Sequence, residues 1–496
     1  MANVSRRKLL EGSIGAGLAG LALPAVAVPA KKPRHWDETY DVVILGAGGA
    51  GLSAACAARE QNLKTIVLEK NGFPGGSSLI CTAMFSVAGT DFQKENHVTN
   101  DSESRYEADM LKLGGNFNDP AVVHAFVHAA KVQYDWMRKI GLKPRSLALG
   151  GGMTRPRGHV FNPPQVIDTL HRYATQHGAV IRCNTPAQHL VWDENLRRVT
   201  GVLTKDQSGK VRAIKVTRGV IIATGGFARS KKVLQKFNPY LTNCDVLSAS
   251  GSTGDGLLMA LELGADFRDT AFIKDTYGSK PGITSSKEST TIFYSGAIIV
   301  NKDGKRFVDE SQTYKTLSDA ALKQPKGASY IVFDSNILTA GLKEPQGREL
   351  FEMIPKGKIP PYVFSGSTVE EVAKKAGIDS SGLAETVRKY NRDAETGTDS
   401  EFGRKSLASG LGKLVKIEKG PFYVFPASSV LYGTYCGIRI NPKAQVVDVF
   451  DNIIPGLYAA GEATGGVHGS NYMSGSGYAK ALSFGRLAAT MIAKEK

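Results

Sequence analysis

The stretch Tyr40–Lys70, YDVVILGAGGAGLSAACAAREQNLKTIVLEK, constrains the fold more than any other part of the chain. Its apolar run Val42 to Leu45 has the pattern of a strand buried on both faces of a parallel sheet. The glycines that follow, Gly46-Ala47-Gly48-Gly49-Ala50-Gly51, have the G-x-G-x-x-G spacing and run straight into an Ala-rich helix. Gly46 permits the tight turn, Gly48 lets backbone approach a pyrophosphate, and Gly51 lets the helix pack closely on the strand. A second apolar strand, Thr65 to Leu68, ends at Glu69, about 20 residues downstream, where an acidic side chain takes ribose hydroxyls. Glycines alone are weak evidence. Strand, glycines, helix, strand and terminal acid within one unit point to an adenine dinucleotide.

Further motifs recur along the chain: Pro74-Gly75-Gly76-Ser77-Ser78, Ala223-Thr224-Gly225-Gly226-Phe227, Gly254-Asp255-Gly256, Gly304-Lys305-Arg306-Phe307-Val308, and Ile454-Pro455-Gly456-Leu457-Tyr458-Ala459-Ala460-Gly461-Glu462. With these the chain resembles the FAD-binding flavoproteins of the fumarate reductase and 3-ketosteroid dehydrogenase superfamily, over almost its whole length. The resemblance implies an α/β fold: a Rossmann-like FAD-binding domain split into residues 36–268 and 434–496, with an α+β capping domain, 269–433, inserted between. Within the insertion the pattern predicts a strand at Ala297 to Val300 and a helical stretch at Val369 to Tyr390. The implied FAD contacts are Gly46, Gly48, Gly49, Ala50, Gly51, Glu69, Lys70, Gly75, Gly76, Ser77, Ser78, Ala187, Thr224, Gly225, Gly226, Asp255, Glu462 and Ser476. The Gly475-Ser476-Gly477 turn is expected to offer N–H groups to a flavin carbonyl. No residue has a context that requires a covalent linkage, so non-covalent FAD is expected.

The N-terminus has the form of an address. Ser5-Arg6-Arg7-Lys8-Leu9-Leu10 precedes an apolar stretch from Ile14 to Val28, with Ala25-Val26-Ala27 as a small-residue cleavage site. The apolar run is short for a membrane span, which needs ~20 residues. Residues 1–30 are therefore expected to be a twin-arginine signal, carrying the folded protein to a bacterial periplasm. The 466 residues beyond it suit two or three domains. The net charge of +16 drops to +14 without the signal, which holds Arg6, Arg7 and Lys8 against Glu11. Basic residues are not interleaved with aromatics as nucleic-acid binding needs, so nucleic acid is not an expected partner.

The five cysteines, Cys56, Cys81, Cys183, Cys244 and Cys436, are odd in number and scattered, which argues against a disulfide framework. No C-x-x-C-H occurs, so the chain holds no covalent haem, and no metal-ligand cluster is evident. Electrons are then expected from a separate donor, a c-type cytochrome.

Departures from the family pattern indicate the substrate. In fumarate reductases of this superfamily an arginine four residues after the Arg-Phe-Val-x-Glu glutamate donates the proton; here Tyr314 takes its place. The relay positions of that family fall on Thr290 and Phe293. The substrate-carboxylate arginine after H-G-A-N corresponds to Tyr472 in His468-Gly469-Ser470-Asn471-Tyr472, and a carboxylate-binding histidine falls at Gly433, between Tyr432 and Tyr435. A dicarboxylate needs guanidinium forks. Tyrosines instead offer neutral donors and flat apolar walls, which suit a ketone or phenol on a hydrophobic skeleton.

Tyr472-Met473-Ser474-Gly475 also resembles the Y-x-S-G of the 3-ketosteroid Δ4-dehydrogenase branch, which implies Tyr472 for proton transfer and Ser474 in its support. Tyr314 is a second acid or polarises a carbonyl. Arg155 and Arg157, in a segment similar to the family's H-R-P, are candidate substrate anchors, with Tyr277 and Tyr435 as further substrate contacts. A tyrosine is more often a packed aromatic than a catalyst, and only motif position singles out Tyr472 and Tyr314. The expected function is reduction of a C=C bond conjugated to a carbonyl, an enone or unsaturated acid. Dehydrogenation of a 3-ketosteroid-like compound, reduction of urocanate or a fumarate-like carboxylate, and a flavin electron shuttle without turnover stay open.

Overall fold

The computed structural model describes residues 30–206, 208–273, 275–343, 348–408 and 410–495. The twin-arginine motif and its apolar stretch lie outside the described residues. Among the described residues no helix is long and apolar enough to cross a membrane.

The strand β1 (Glu38–Leu45) sits in the middle of an eight-stranded sheet. It pairs in parallel with β2 (Thr65–Leu68), in register Val42↔Thr65 to Leu45↔Leu68, and on its other side with the long strand Val211–Ile222. Val42, Val43 and Ile44 are fully buried, as an apolar run covered on both faces requires. The chain leaves β1 through Gly46 at φ +100 and enters α1 (Gly49–Glu60). A Cβ on Gly51 would stand 1.8 Å from the Gly46 carbonyl oxygen, so only glycine lets the helix lie this close to the strand.

The C-terminal return completes the same body. Ile453–Ala459 adds in parallel beside Val211–Ile222. The last helix, Ser476–Lys494, lies along α1: the Ser53 hydroxyl donates to the Leu482 carbonyl at 2.7 Å, and a Cβ on Gly485 would meet the Ala50 carbonyl oxygen at 2.1 Å.

The second body is built on a six-stranded sheet around Phe422–Leu431, which pairs antiparallel with Ser329–Asp334, Thr276–Ser279 and Phe364–Gly366. Its core holds a buried ionic cluster. Arg306 donates to both carboxylate oxygens of Glu310 and of Asp399, and Arg404 reaches Glu310 and the Phe293 and Ala297 carbonyls. The predicted helical stretch 369–390 is two helices, Val369–Ala376 and Ser380–Thr396. Gly377 takes φ +70 and ends the first, and the Asp379 carboxylate caps the second by accepting from the Gly382 N–H.

The two bodies join where Phe267–Arg268 pairs antiparallel with Gly437–Ile438. Beside each crossing a residue other than glycine holds a left-handed backbone, Asp269 at φ +66 and Tyr435 at φ +52. For a bulky side chain such as Tyr435 this costs on the order of 1–3 kcal/mol, so the surrounding packing must hold it there.

Candidate active site

A cavity of about 700 Å³ runs from the glycine turn of the first body to the seam with the second. At the turn its wall is Gly46, Gly48, Gly49, Ala50, Glu69 and Lys70, then Gly76, Ser77, Ser78 and Ala187, with Thr224, Gly225 and Asp255 opposite. The Glu69 carboxylate accepts from the Ala47 and Asn71 N–H groups, both at 2.8 Å, which fixes it at the end of β2. Lys70 is held by Asp255 at 2.7 Å.

Not every expected cofactor residue lies on this wall. Gly51, Gly75, Gly226 and Ser476 stand behind it. Gly75 donates its N–H to the Ala47 carbonyl at 2.9 Å, and Gly226 leaves space that the Glu462 and Thr434 oxygens fill. The Ser476 hydroxyl and N–H both turn back to the Met473 carbonyl, at 2.6 and 3.2 Å. The Gly477 N–H serves Tyr472, so these two N–H groups of the turn are spent within the protein.

The far end of the cavity is aromatic. Tyr314 starts the helix Tyr314–Leu322 of the second body, while Tyr472 and Tyr435 come from the returning chain of the first. The ring centroids of Tyr435 and Tyr472 are 4.3 Å apart, those of Tyr314 and Tyr472 6.3 Å, and the His468 ring lies tilted 5.1 Å from Tyr472.

Ser474 does not support Tyr472 as the sequence suggested. Its hydroxyl donates to the Tyr314 oxygen at 3.0 Å, and the Tyr472 oxygen accepts the Gly477 N–H at 3.2 Å, in the first turn of the last helix. Burial pushes the Tyr472 phenol up to about 12, against the pull of that N–H, and raises Tyr314 and Tyr435 well above the ordinary tyrosine range. All three are neutral acids at physiological pH. Burial, with Lys480 and Lys315 nearby, drives His468 well below the usual imidazole range, so that ring is neutral.

Arg155 and Arg157 do not reach the cavity. Arg157 is fully buried between Asp101 at 2.7 Å and Asp109 at 2.6 Å, a structural ion cluster. Arg155 donates to Asn100 at 3.0 Å and to the Thr154 carbonyl. Tyr277 lines the wall, but its hydroxyl points into the sheet of the second body and donates to Ser329 at 3.0 Å, so it offers substrate no polar contact. Arg145 is the one arginine in the wall among the described residues, and its guanidinium donates to the Phe161 carbonyl.

Three features were not picked out in the sequence. Lys315 places its ammonium 4.8 Å from the centre of the Tyr435 ring and donates to Thr276. Lys480 lines the tyrosine end from within the last helix. Tyr432, Ser289 and Ser279 form a hydroxyl cluster on the second body's side, with 2.5 Å between the Tyr432 and Ser289 oxygens. Of these, Lys315 next to Tyr314 and Tyr432 next to Gly433 left a trace in the sequence.

The cavity suits FAD on its own features. Thr224 Oγ1, Ser252 Oγ and the Tyr478 hydroxyl are buried on its wall without a partner, which is where a polar ligand supplies one. Sequence comparison agrees. The FAD binding domain family matches residues 41–478. The cytochrome-type fumarate reductase of Shewanella frigidimarina is 32% identical over 464 residues, covering 92% of this chain and 77% of that protein. The vinyl phenol reductase of Lactiplantibacillus plantarum is 26% identical, covering 88% and 92%. The open conformation of a flavocytochrome c3 fumarate reductase superposes with a TM-score of 0.74 at 31% identity, covering 92% of this chain and 79% of that one. The chain thus belongs to the FAD binding domain family of fumarate reductase-type flavoproteins, as an FAD-dependent oxidoreductase acting on CH–CH and C=C groups.

Proposed function

We propose that this protein reduces a C=C bond conjugated to a carbonyl on a neutral, flat substrate, with a tyrosine as proton donor. The observation that carries this reading is the tyrosine end of the cavity, where Tyr314, Tyr435 and Tyr472 converge and no guanidinium lines the wall beside them among the described residues. A dicarboxylate there would find no guanidinium fork of the kind its charge demands; the cations at this end are lysines, Lys315 donating to Thr276 and Lys480 to the Thr464 carbonyl. A histidine at Gly433 would require the Glu462 and Tyr435 side chains to move. A Cβ there already stands 2.9 Å from Glu462 Oε1 and 3.3 Å from the Tyr435 ring.

FAD, held along the glycine turn, Glu69 and Lys70, would supply the hydride that the β-carbon needs. Tyr472 then protonates the α-carbon. Its oxygen already accepts the Gly477 N–H, so its own proton is free for the cavity, and the phenolate left behind is held by that N–H at a helix N-terminus. Tyr314, backed by Ser474, donates to the substrate carbonyl and holds it as negative charge builds. Tyr314 reaches the tyrosine end from the helix Tyr314–Leu322 of the second body. Phenols this weakly acidic serve as acids and not as bases near neutral pH, which favours reduction over dehydrogenation. The relative named as a vinyl phenol reductase supports a neutral, aromatic-sized substrate. On the same reading the leader at 1–30 exports the folded protein to the periplasm, and a separate c-type cytochrome delivers electrons.

The test is a titration of oxidised holoenzyme followed by flavin absorbance. A neutral enone or a vinyl phenol should perturb the spectrum at micromolar concentration, and succinate should leave it unchanged into the millimolar range. Tight succinate binding overturns the reading.

A further inference from the structure

Lys480 lies one turn into the last helix, is fully buried, and lines the cavity beside Gly477, Glu462 and Tyr435. Its ammonium donates to the Thr464 carbonyl at 2.7 Å, and no carboxylate is within ion-pair distance of it among the described residues. An ammonium has three donors. A buried cation left with one hydrogen bond is costly, and such groups persist where an anion completes them.

The cavity itself indicates the anion. The glycine turn and Glu69 would hold the dinucleotide end, which would put the redox ring toward the opposite, tyrosine end, where Lys480 is. Two electrons and one proton entering that ring leave one negative charge on it. We propose that Lys480 is the counter-charge of reduced FAD, stabilising the reduced over the oxidised cofactor and so raising its reduction potential.

The surroundings fit this role. Burial pushes the Lys480 amine down to about 8, with Asp269 and Glu462 acting in the opposite direction and Cys436 beside them. His468, which also feels the Lys480 charge, is neutral, and burial raises both Asp269 and Glu462. Lys315, whose ammonium is 4.8 Å from the centre of the Tyr435 ring, also acts on His468 at this end. Lys480 thus sits at the edge of losing its proton, and a negative charge arriving next to it fixes the proton in place.

Two measurements on FAD-loaded protein test the inference, neither using a substrate. Midpoint potentials are determined anaerobically against a reference dye for the wild type, Lys480→Met and Lys480→Arg. Lys480→Met should lose at least tenfold in preference for reduced over oxidised FAD, a drop of about 30 mV for a two-electron couple, and Lys480→Arg should keep most of it. A twofold or smaller change in Lys480→Met overturns the inference. Should that variant fail to fold, the wild type decides through its proton uptake, read with an indicator dye in weak buffer. Uptake per two electrons should rise from one toward two as pH climbs above about 8, as reduction draws a proton onto Lys480; a constant single proton up to the ordinary lysine value of 10.5 overturns it. The inference rests on the placement of the redox ring used above, yet it fails or holds apart from the substrate assignment. A shifted potential in a protein that ignores neutral enones would refute only the latter.

Discussion

Replacing Tyr472 with phenylalanine removes one hydroxyl and keeps the ring that packs 4.3 Å from Tyr435 and 5.1 Å from His468. The loss therefore falls on chemistry more than on packing. General acids contribute ~10²–10⁴ in rate, or roughly 3–5.5 kcal/mol at 1.36 kcal/mol per decade. Within that range the structure argues for the lower half. Tyr314 is 6.3 Å away between centroids and carries its own proton, so it can serve as a poorer donor. A part of the loss is the Gly477 N–H, whose bond to a neutral phenol is worth about 1 kcal/mol but about 1.5–3 kcal/mol to a developing phenolate.

The assay separates the half-reactions. Reduction of the bound FAD by dithionite should be unchanged within twofold, whereas reoxidation by a neutral enone should slow ~100-fold. The wild-type rate should stay flat from pH 6 to 9, because an acid whose phenol titrates at about 12 is lost only as pH rises through that value. A Tyr472→Phe enzyme within fivefold of wild type, or a wild-type rate that falls across neutral pH, would falsify the assignment of Tyr472.

Other outcomes follow from the same geometry. Ser474→Ala removes the bond to Tyr314 and should slow enone reduction about tenfold, the kinetic worth of ~1.4 kcal/mol, with FAD content unchanged by absorbance. Arg155→Ala should leave the enone KM within twofold of wild type in steady-state assays, since this side chain ends on Asn100 and Thr154 and not in the cavity. Asp399→Asn breaks the buried bond to Arg306 and should cost ~3–5 kcal/mol in urea unfolding of the second body. Burial pushes the Asp399 carboxyl up, but Arg306 outweighs it and holds it at about 2, below its ordinary 3.8. Its stabilisation is therefore complete above about pH 4 and drains away as pH falls toward 2, so wild type and Asp399→Asn should converge in acid.

The nucleotide end was legible because its constraints are local: strand, glycine turn, helix and terminal acid occur within one short stretch, and Gly46 and Gly51 each answer a close backbone approach. The tyrosines were legible only by position within longer motifs. What the sequence hid was long-range. Arg157 finds Asp101 and Asp109 some fifty residues upstream, and nothing in the local Gly- and Arg-rich run distinguishes a buried ion cluster from a substrate anchor. Ser474 is two residues from Tyr472, yet the turn before the last helix aims it at Tyr314 on the other body. Lys480 reads as a surface residue by type, and only the packing of the last helix along α1 shows it to be buried. The division at Gly377 was readable in principle, since Gly377 and Asp379 form a stop and a start for helices. The helical spacing of apolar residues on both sides concealed it.

The most direct test of the neutral-substrate, tyrosine-acid account is anaerobic stopped-flow reoxidation of the dithionite-reduced holoenzyme by fumarate, urocanate, a cinnamate, a vinyl phenol and a 4-ene-3-ketosteroid. Fast reoxidation by a neutral compound, with fumarate slow, is the predicted result. Fast reoxidation by fumarate would contradict it, because among the described residues no arginine lines the tyrosine end to hold two carboxylates.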